Sequence, residues 1–259
     1  MAYKPQTSRK IVIKPLQANQ YALAQKLEDL QIKSQVRRSG QPPTHPIWNK
    51  AALLMKANPR FGTGLVLVAF RKTGRSLSDP VGYYLADFDN SNNVVTSYVG
   101  VHPSARGEGI GTLLHDRMEK IAIKKGISGK KSTVSPHNIP SLVVNVNHQG
   151  FNVVSWAPHL YGPDEHRFFI EGKFGVAKRP PSTKVISNAL RINLNKDEIL
   201  SVLDRGAPFL LELTQDHGDS RELLLKYVDW TKFHGTHVHV EDDRPYLLLE
   251  PKRISVKRR

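Results

Sequence analysis

The sequence predicts an α/β fold in which a mixed, mostly antiparallel sheet is flanked by helices. Short runs alternate apolar with polar residues, as half-buried strands do, and other runs carry the three-to-four-residue spacing of amphipathic helices. Three strand-like runs follow one another closely, at 64–72, 81–89 and 94–102, and this closeness favours antiparallel hairpins.

The elements before and after these hairpins follow from the same periodicities. Residues 10–17 alternate as a first strand. Residues 19–39 and 47–58 have helical spacing, and the intervening "GQPPTHP" separates them because adjacent prolines cannot continue a helix. After the hairpins, a glycine-rich stretch opens a helix that Gly126 is expected to end.

The residue pattern of the second half of the sequence predicts a strand at "KSTVS" and a helix over 138–150 with Asn138 as its cap. It also predicts a final strand pair at "FNVVSWA" and "HRFFIEGKF". The proline-rich "GVAKRPPSTK" is a predicted linker. We therefore expect a domain at 1–174 and a small C-terminal α+β extension of unknown role at 175–259. That extension has one predicted helix, "NKDEILSVLDRG", and strand-like runs at "PFLLELTQ", "RELLLKYVDW", "THVHV" and "PYLLLEP".

The composition excludes several classes of protein. The 259-residue chain has no cysteine, which excludes disulfides, thiolate metal sites and a cysteine nucleophile. No apolar run approaches the roughly 20 residues of a bilayer span, and "MAYKPQTSRK" lacks the apolar core of a signal peptide. We therefore expect a cytoplasmic protein with no membrane partner. The net charge of +15 indicates either anionic partners or a solvated basic surface.

The stretch "VHPSARGEGIGTLL" is typical of a phosphate-binding loop, and its spacing selects among three kinds. A P-loop requires Lys-Ser/Thr after its last glycine, which this stretch lacks. A dinucleotide fingerprint requires G-x-G-x-x-G, and Thr112 stands at the third glycine position counted from Gly107. The pattern Arg/Gln-x-x-Gly-x-Gly/Ala is complete from Arg106 to Gly111, and it lies between a strand and a helix.

In this context "YVGVHPSARGEGIGTLLHDRMEKIA" resembles the acetyl-CoA-binding motif of the GNAT superfamily of N-acetyltransferases. The element order over about residues 10–174 also resembles that fold. A weaker motif of the family is similar to Asn138-Ile-Pro-Ser141 followed by Gly150-Phe151. The resemblance implies a GNAT-like fold, acetyl-CoA as cosubstrate, and direct transfer of an acetyl group to a primary amine.

The resemblance also implies which residues bind the cosubstrate. Backbone N–H groups of the loop would hold the pyrophosphate, since glycines let the backbone approach it and a helix N-terminus attracts anions. Arg106 would fix the loop and Thr112 would donate its hydroxyl. The strand should splay near Gly100, so that backbone groups at Val99 and Val101 contact the pantetheine arm, with Asn138 and Ser141 on its other side. The residues expected at the loop are Arg106, Gly107, Glu108, Gly109, Ile110, Gly111 and Thr112.

The acid and base of the reaction are less clearly marked. Tyr98 and Asp87 are candidates for the base, although Asp87 and Asp89 could instead be ordinary turn residues. In the family, a tyrosine shortly before Gly-Phe commonly acts as the general acid. In this chain, residues 144–146 of that region are Val-Asn-Val, and none of them can donate a proton as tyrosine does. Tyr161, a water or another group would then protonate the thiolate, or the thiolate leaves unaided, or the protein is inactive. His102 is expected to be a loop residue.

Other functions stay open at this stage. The histidines of "HGTHVHVEDD" could pair on a strand face, but they lack a third ligand at firm spacing, so no metal is predicted. The charge and the missing tyrosine allow a basic nucleic-acid-binding protein on a GNAT scaffold, or a modifier of tRNA or a nucleobase. The C-terminal region could also serve oligomerisation, and a homodimer is left open. The acceptor amine is not identified.

Overall fold

The computed structural model describes residues 10–34, 48–58, 64–158, 160, 166–176, 180–192, 196–213 and 225–252. The chain divides into two compact units, Met1–Ser128 and Gly129–Arg259.

The described part of the first unit contains four antiparallel strands that pair in chain order. They are β1 (Lys10–Pro15), β2 (Gly64–Thr73), β3 (Ser76–Phe88) and β4 (Asn93–Val101). Its helices are α1 (Tyr21–Ser34), α2 (Lys50–Ala57) and α3 (Ile110–Lys124). The antiparallel hairpins predicted from the close spacing of the strands are confirmed.

Both faces of this sheet are covered by helices. On one face, Tyr83 and Leu85 of β3 pack with apolar residues of α1 and α2. On the other face, Gly82 lets α3 approach closely, because a Cβ there would lie 2.9 Å from Ile110 Cγ2. Tyr84, on that same face by strand alternation, makes an edge-on ring contact with His115 of α3, with centroids 4.9 Å apart. The sheet therefore fixes the position of the helix that follows the glycine loop.

Among its described residues, the second unit contains seven strands, ordered β5-β7-β6-β10-β11-β9-β8. They are β5 (Gly129–Val134), β6 (Asn152–Ala157), β7 (Arg167–Lys173), β8 (Leu190–Ile192), β9 (Phe209–Glu212), β10 (Phe233–Glu241) and β11 (Arg244–Pro251). All neighbours in this order are antiparallel except β8 and β9, which are parallel. The helices are α4 (Ile139–Leu142), which continues as a π-helical turn (Val143–His148), α5 (Thr183–Asn188) and α6 (Lys196–Arg205).

One apolar core runs through this second unit. Phe168 and Ile170 of β7 belong to the same cluster as Phe209 and Phe233, which come from the C-terminal 85 residues. Strand β10 pairs directly with β6. The C-terminal strands thus extend the sheet that contains β5, β6 and β7, and the predicted domain boundary at residue 174 remains a prediction.

The structure adds three details to the elements that the sequence predicts. The predicted linker, residues 175–184, overlaps the start of α5, which Ser182 caps by accepting a hydrogen bond from Val185 N. The strand predicted at "RELLLKYVDW" is wrong in its described part, because 225–227 form a 3₁₀ turn. The helix predicted over 138–150 is present as α4 and its π-helical continuation. In the described part of the chain, no helix combines the length and apolar character that crossing a membrane requires.

Candidate functional site

The loop between β4 and α3 begins with a 3₁₀ turn over Pro103–Ala105. His102 N donates to Val81 O at 2.8 Å, which extends the pairing of β4 with β3 by one residue. The His102 ring then caps the turn, since its Nδ1 accepts from Ser104 N at 3.2 Å. His102 therefore builds the loop, in agreement with its predicted role.

The glycines that follow shape the start of α3. Gly107 and Gly109 adopt φ of 79° and 73°, a left-handed conformation that side chains with a Cβ disfavour. Gly109 is the N-cap of α3 and makes no side-chain cap bond. The first bond inside the helix runs from Leu113 N to Gly109 O at 3.0 Å. The N–H groups of the preceding turn have no partner within the helix, and they carry the positive end of its dipole.

Gly111 is different from the other two glycines, since its backbone is not in the left-handed region. A Cβ built at Gly107, Gly109 or Gly111 would meet no heavy atom of the described structure within 4 Å. The fold therefore does not require a glycine at position 111 for packing. The open space beside the loop is what a backbone cradle for an anion needs.

Two arginines fix this loop to the first unit. Arg106 donates from Nη2 to Ser34 O, the carbonyl of the last residue of α1, at 2.9 Å. Arg71 of β2 donates to the Glu108 carboxylate and, at 3.0 Å, to Ser104 O. Arg106 occupies the position expected of a loop-fixing residue. The sequence alone does not indicate Arg71, because no local pattern links it to a motif more than thirty residues further along the chain.

The strand that leads into the loop stays paired with β3 up to its last residue. Val99 lies opposite Tyr84, and Val101 lies opposite Gly82. Gly100 lies under the Tyr83 ring, and a Cβ there would be 2.4–2.6 Å from three atoms of that side chain. A glycine at position 100 is thus required by packing across the hairpin.

Asp87 is held by two partners and is not a turn residue. Lys56 Nζ donates to its Oδ1, and Ser97 Oγ donates to its Oδ2 at 3.0 Å. Ser97 is the extra residue of a bulge in β4, since Leu85 pairs with Tyr98 and Ala86 with Thr96. The bulge presents the Ser97 hydroxyl to the carboxylate.

Lys56 is a second residue that the sequence did not single out. Its side chain is only 5% exposed, and its Nζ lies 4.5 Å from the centroid of the Trp48 ring. Asp89, by contrast, is a turn residue, because its Oδ1 accepts hydrogen bonds from Ser91 N and Asn93 N. The alternative of two ordinary turn residues therefore holds for Asp89 alone.

The comparison with protein families agrees with this local geometry. Residues 32–151 match the model described as the acetyltransferase (GNAT) family. Over this segment, which is 120 of the 259 residues, the chain is similar to GNAT acetyltransferases. The segment contains α2, the hairpins of β2, β3 and β4, the glycine loop and α3, together with Asn138 and Ser141. The comparison with curated proteins gives no match.

Solved structures show the same fold at low sequence identity. The ribosomal-protein-S18-alanine N-acetyltransferase from Escherichia coli has a TM-score of 0.50 and 12% identity, over 67% of this chain and 99% of its own. A chain of the NatC complex bound to Gag peptide and CoA has a TM-score of 0.51 and 15% identity, over 63% and 98%. A GNAT-family acetyltransferase from Streptococcus pneumoniae has 0.51 and 15%, over 64% and 100%. The predicted GNAT-like fold is confirmed.

The residues that resemble the second GNAT motif lie in the second unit. Asn138 caps α4 as predicted, with its Oδ1 accepting from Ser141 N at 3.2 Å. Asn145, one of the three residues at 144–146 in the region where the family commonly has a tyrosine, is buried in the π-helical turn. Its Nδ2 donates to Ser141 O at 2.8 Å and to Ser141 Oγ at 3.1 Å. An amide in this arrangement ties α4 to the turn and has no acidic proton to give to a thiolate.

The remaining candidates divide between described and undescribed parts of the chain. Tyr98 is half-buried and packs against the core shared by α1, α2 and β3. Tyr161 lies outside the described residues. Among the residues that the structure describes, no three histidines or carboxylates group as metal ligands. Glu241, beside the C-terminal histidines, instead accepts two hydrogen bonds from Arg191 at 2.8 and 2.9 Å.

Proposed function

We propose that this chain is an N-acetyltransferase that transfers the acetyl group of acetyl-CoA to a primary amine by direct attack. The observation that carries the proposal is the loop over 106–111. It combines two left-handed glycines, a third glycine with open space beside it, and an uncapped helix N-terminus. Because the loop belongs to a segment matched by the GNAT family model, the anion it suits best is the pyrophosphate of CoA.

The residues of the loop fit this group. Backbone N–H groups from Gly107 to Thr112 would bind the pyrophosphate, and the glycines leave the approach clear. Arg106 would hold the loop in place through α1, as it does in the structure. Val99 and Val101 on β4, and Asn138 and Ser141 on α4, remain the proposed contacts of the pantetheine arm. Acetyl-CoA, when bound, supplies the acyl group as a thioester, and a C–N bond replaces its C–S bond.

The chain must also remove a proton from the acceptor, because an alkylammonium has no lone pair for attack. Asp87 and Tyr98 are the proposed groups for this step. Asp87 has a half-exposed carboxylate whose two oxygens already accept hydrogen bonds. The proton of the acceptor would pass to this carboxylate directly or through a water. Asn145 cannot return a proton to the departing sulfur. Tyr161 is the proposed donor for that step.

The charge of the chain bears on the acceptor. A net charge of +15 attracts anions over long range, so the proposed acceptor class is an amine that carries negative charge, including one linked to nucleic acid. A basic protein that only binds nucleic acid on this scaffold is the alternative, and it would show salt-dependent RNA binding without acetyl transfer. The cytoplasmic location expected from the sequence belongs to the same proposal.

Two measurements test the proposal. Titration calorimetry of the full chain with acetyl-CoA should give saturable binding, and an absence of binding at millimolar ligand would contradict it. Mass spectrometry of a panel of amines after incubation with acetyl-CoA should show an acetyl adduct on one class. A chain that binds acetyl-CoA, yet neither acetylates any amine nor releases CoA, would be a binding protein and not an enzyme.

A further inference from the structure

We propose that Arg71 is a positioning residue of the acetyl-CoA site, which neutralises Glu108 and holds its carboxylate away from the N-terminus of α3. The inference rests on the proposed function, since it concerns how the same loop becomes able to accept a pyrophosphate. Neither residue is assigned a role of this kind by the family match.

The need for such a residue follows from the loop itself. Glu108 stands between Gly107 and Gly109 and immediately precedes the N-cap of α3. A helix N-terminus favours any nearby anion, a glutamate as much as a phosphate. An unrestrained Glu108 carboxylate would therefore both repel the pyrophosphate and compete with it for the same N–H groups.

The Arg71 guanidinium removes this conflict by holding the carboxylate with two of its nitrogens. Its Nε donates to Glu108 Oε2 at 3.3 Å, and its Nη2 donates to Glu108 Oε1. The same Nη2 donates to Ser104 O at 3.0 Å, so one side chain joins both ends of the loop. The Arg71 side chain is 16% exposed and the Glu108 side chain 38% exposed, so the pair is open to solvent on the glutamate side, and its strength comes from the forked, charge-assisted geometry.

An irregularity in the hairpin of β2 and β3 holds Arg71 at this point. The register shifts between Phe70 and Lys72, opposite Pro80, which has no N–H to give to the ladder. Arg71 N donates instead to Ser78 Oγ at 2.9 Å. The hairpin thus departs from regular pairing at the residue whose side chain reaches the loop.

A charge-rescue experiment tests the proposal. Arg71→Met removes the cation and keeps an unbranched stem, Glu108→Gln removes the anion, and the double variant removes both. Acetyl-CoA affinity, measured by calorimetry, should fall at least about tenfold in R71M. It should return to within about threefold of wild type in the double variant, and E108Q alone should bind more tightly than R71M. Lys232→Met, which removes a cation from the exposed Lys232–Asp229 pair of the second unit, is the control for lost charge.

The outcomes separate the two claims. A double variant as weak as R71M would show that Arg71 acts only as scaffold and would overturn the inference, as would an R71M variant that binds like wild type. The thermal midpoint without ligand is measured in parallel, because a purely structural role would lower it equally in R71M and in the double variant. If wild type itself does not bind acetyl-CoA, the proposed function fails and the inference fails with it.

Discussion

Gly111 offers a sharp test of the anion site, because the fold leaves this position unconstrained. It is the second residue of α3, its φ is not left-handed, and a Cβ there meets no described atom within 4 Å. Gly111→Glu should therefore not damage the fold. Replacing the glycine stabilises the helix by about 0.5–1 kcal/mol, and placing an acidic residue in its first turn stabilises it further, by about 0.3–1 kcal/mol.

The same substitution should abolish the proposed ligand site. A carboxylate about 5 Å from one phosphate charge repels it by roughly 3 kcal/mol at an effective dielectric constant of about 20. We therefore expect acetyl-CoA affinity to fall by at least about a hundredfold, while the thermal midpoint stays level or rises.

Gly111→Gln is the matched control, since glutamine has nearly the size of glutamate without the charge. It should bind acetyl-CoA more tightly than G111E, and Gly111→Ala, which keeps the family pattern, should bind close to wild type. Calorimetry gives the affinities and thermal unfolding gives the stability. Equal affinities for G111E and G111Q would refute the reasoning, since the two variants differ only in charge.

Three further predictions concern the first unit. Gly100→Ala should lower the free energy of unfolding by about 1–3 kcal/mol, because its Cβ would overlap the Tyr83 ring. The control G111A should not lower it, and equal denaturation midpoints for G100A and G111A would be inconsistent with the packing described. Asp87→Asn should reduce kcat by about a hundredfold or more with little change in KM for acetyl-CoA, and an unchanged kcat would move the base to another residue. Burial raises the pKa of the Tyr84 hydroxyl. The contribution of the protonated hydroxyl to stability is fully present below the unfolded pKa of about 10, and it is lost as the pH rises from there towards the folded pKa. Tyr84→Phe should flatten that alkaline decline in chemical denaturation, and an unaltered pH profile would exclude this origin.

The loop was predictable from sequence because its determinants are local. Left-handed glycines, a helix that begins at once and a preceding strand all lie within about one turn of structure, and each leaves a pattern in the residues themselves. The same holds for Asn138, whose capping bond spans three residues. These short-range interactions form wherever the helix itself forms, whatever the rest of the chain packs against it.

Arg71 and Lys56 could not be found in this way, because their partners are distant in sequence. The Arg71–Glu108 pair spans 37 positions and the Lys56–Asp87 pair spans 31. Each depends on hairpin register and on a bulge, which a single sequence does not specify. The pairing of β6 with β10 across some eighty residues is likewise a long-range contact that a single sequence does not specify.

Calorimetric titration of the wild-type chain with acetyl-CoA measures whether the chain binds the cosubstrate proposed for its 106–111 loop. Titrations at two temperatures guard against a vanishing enthalpy at one of them, because burial of apolar surface changes the heat capacity. We expect saturable binding of one acetyl-CoA per chain. An absence of heat at both temperatures with millimolar ligand would contradict it.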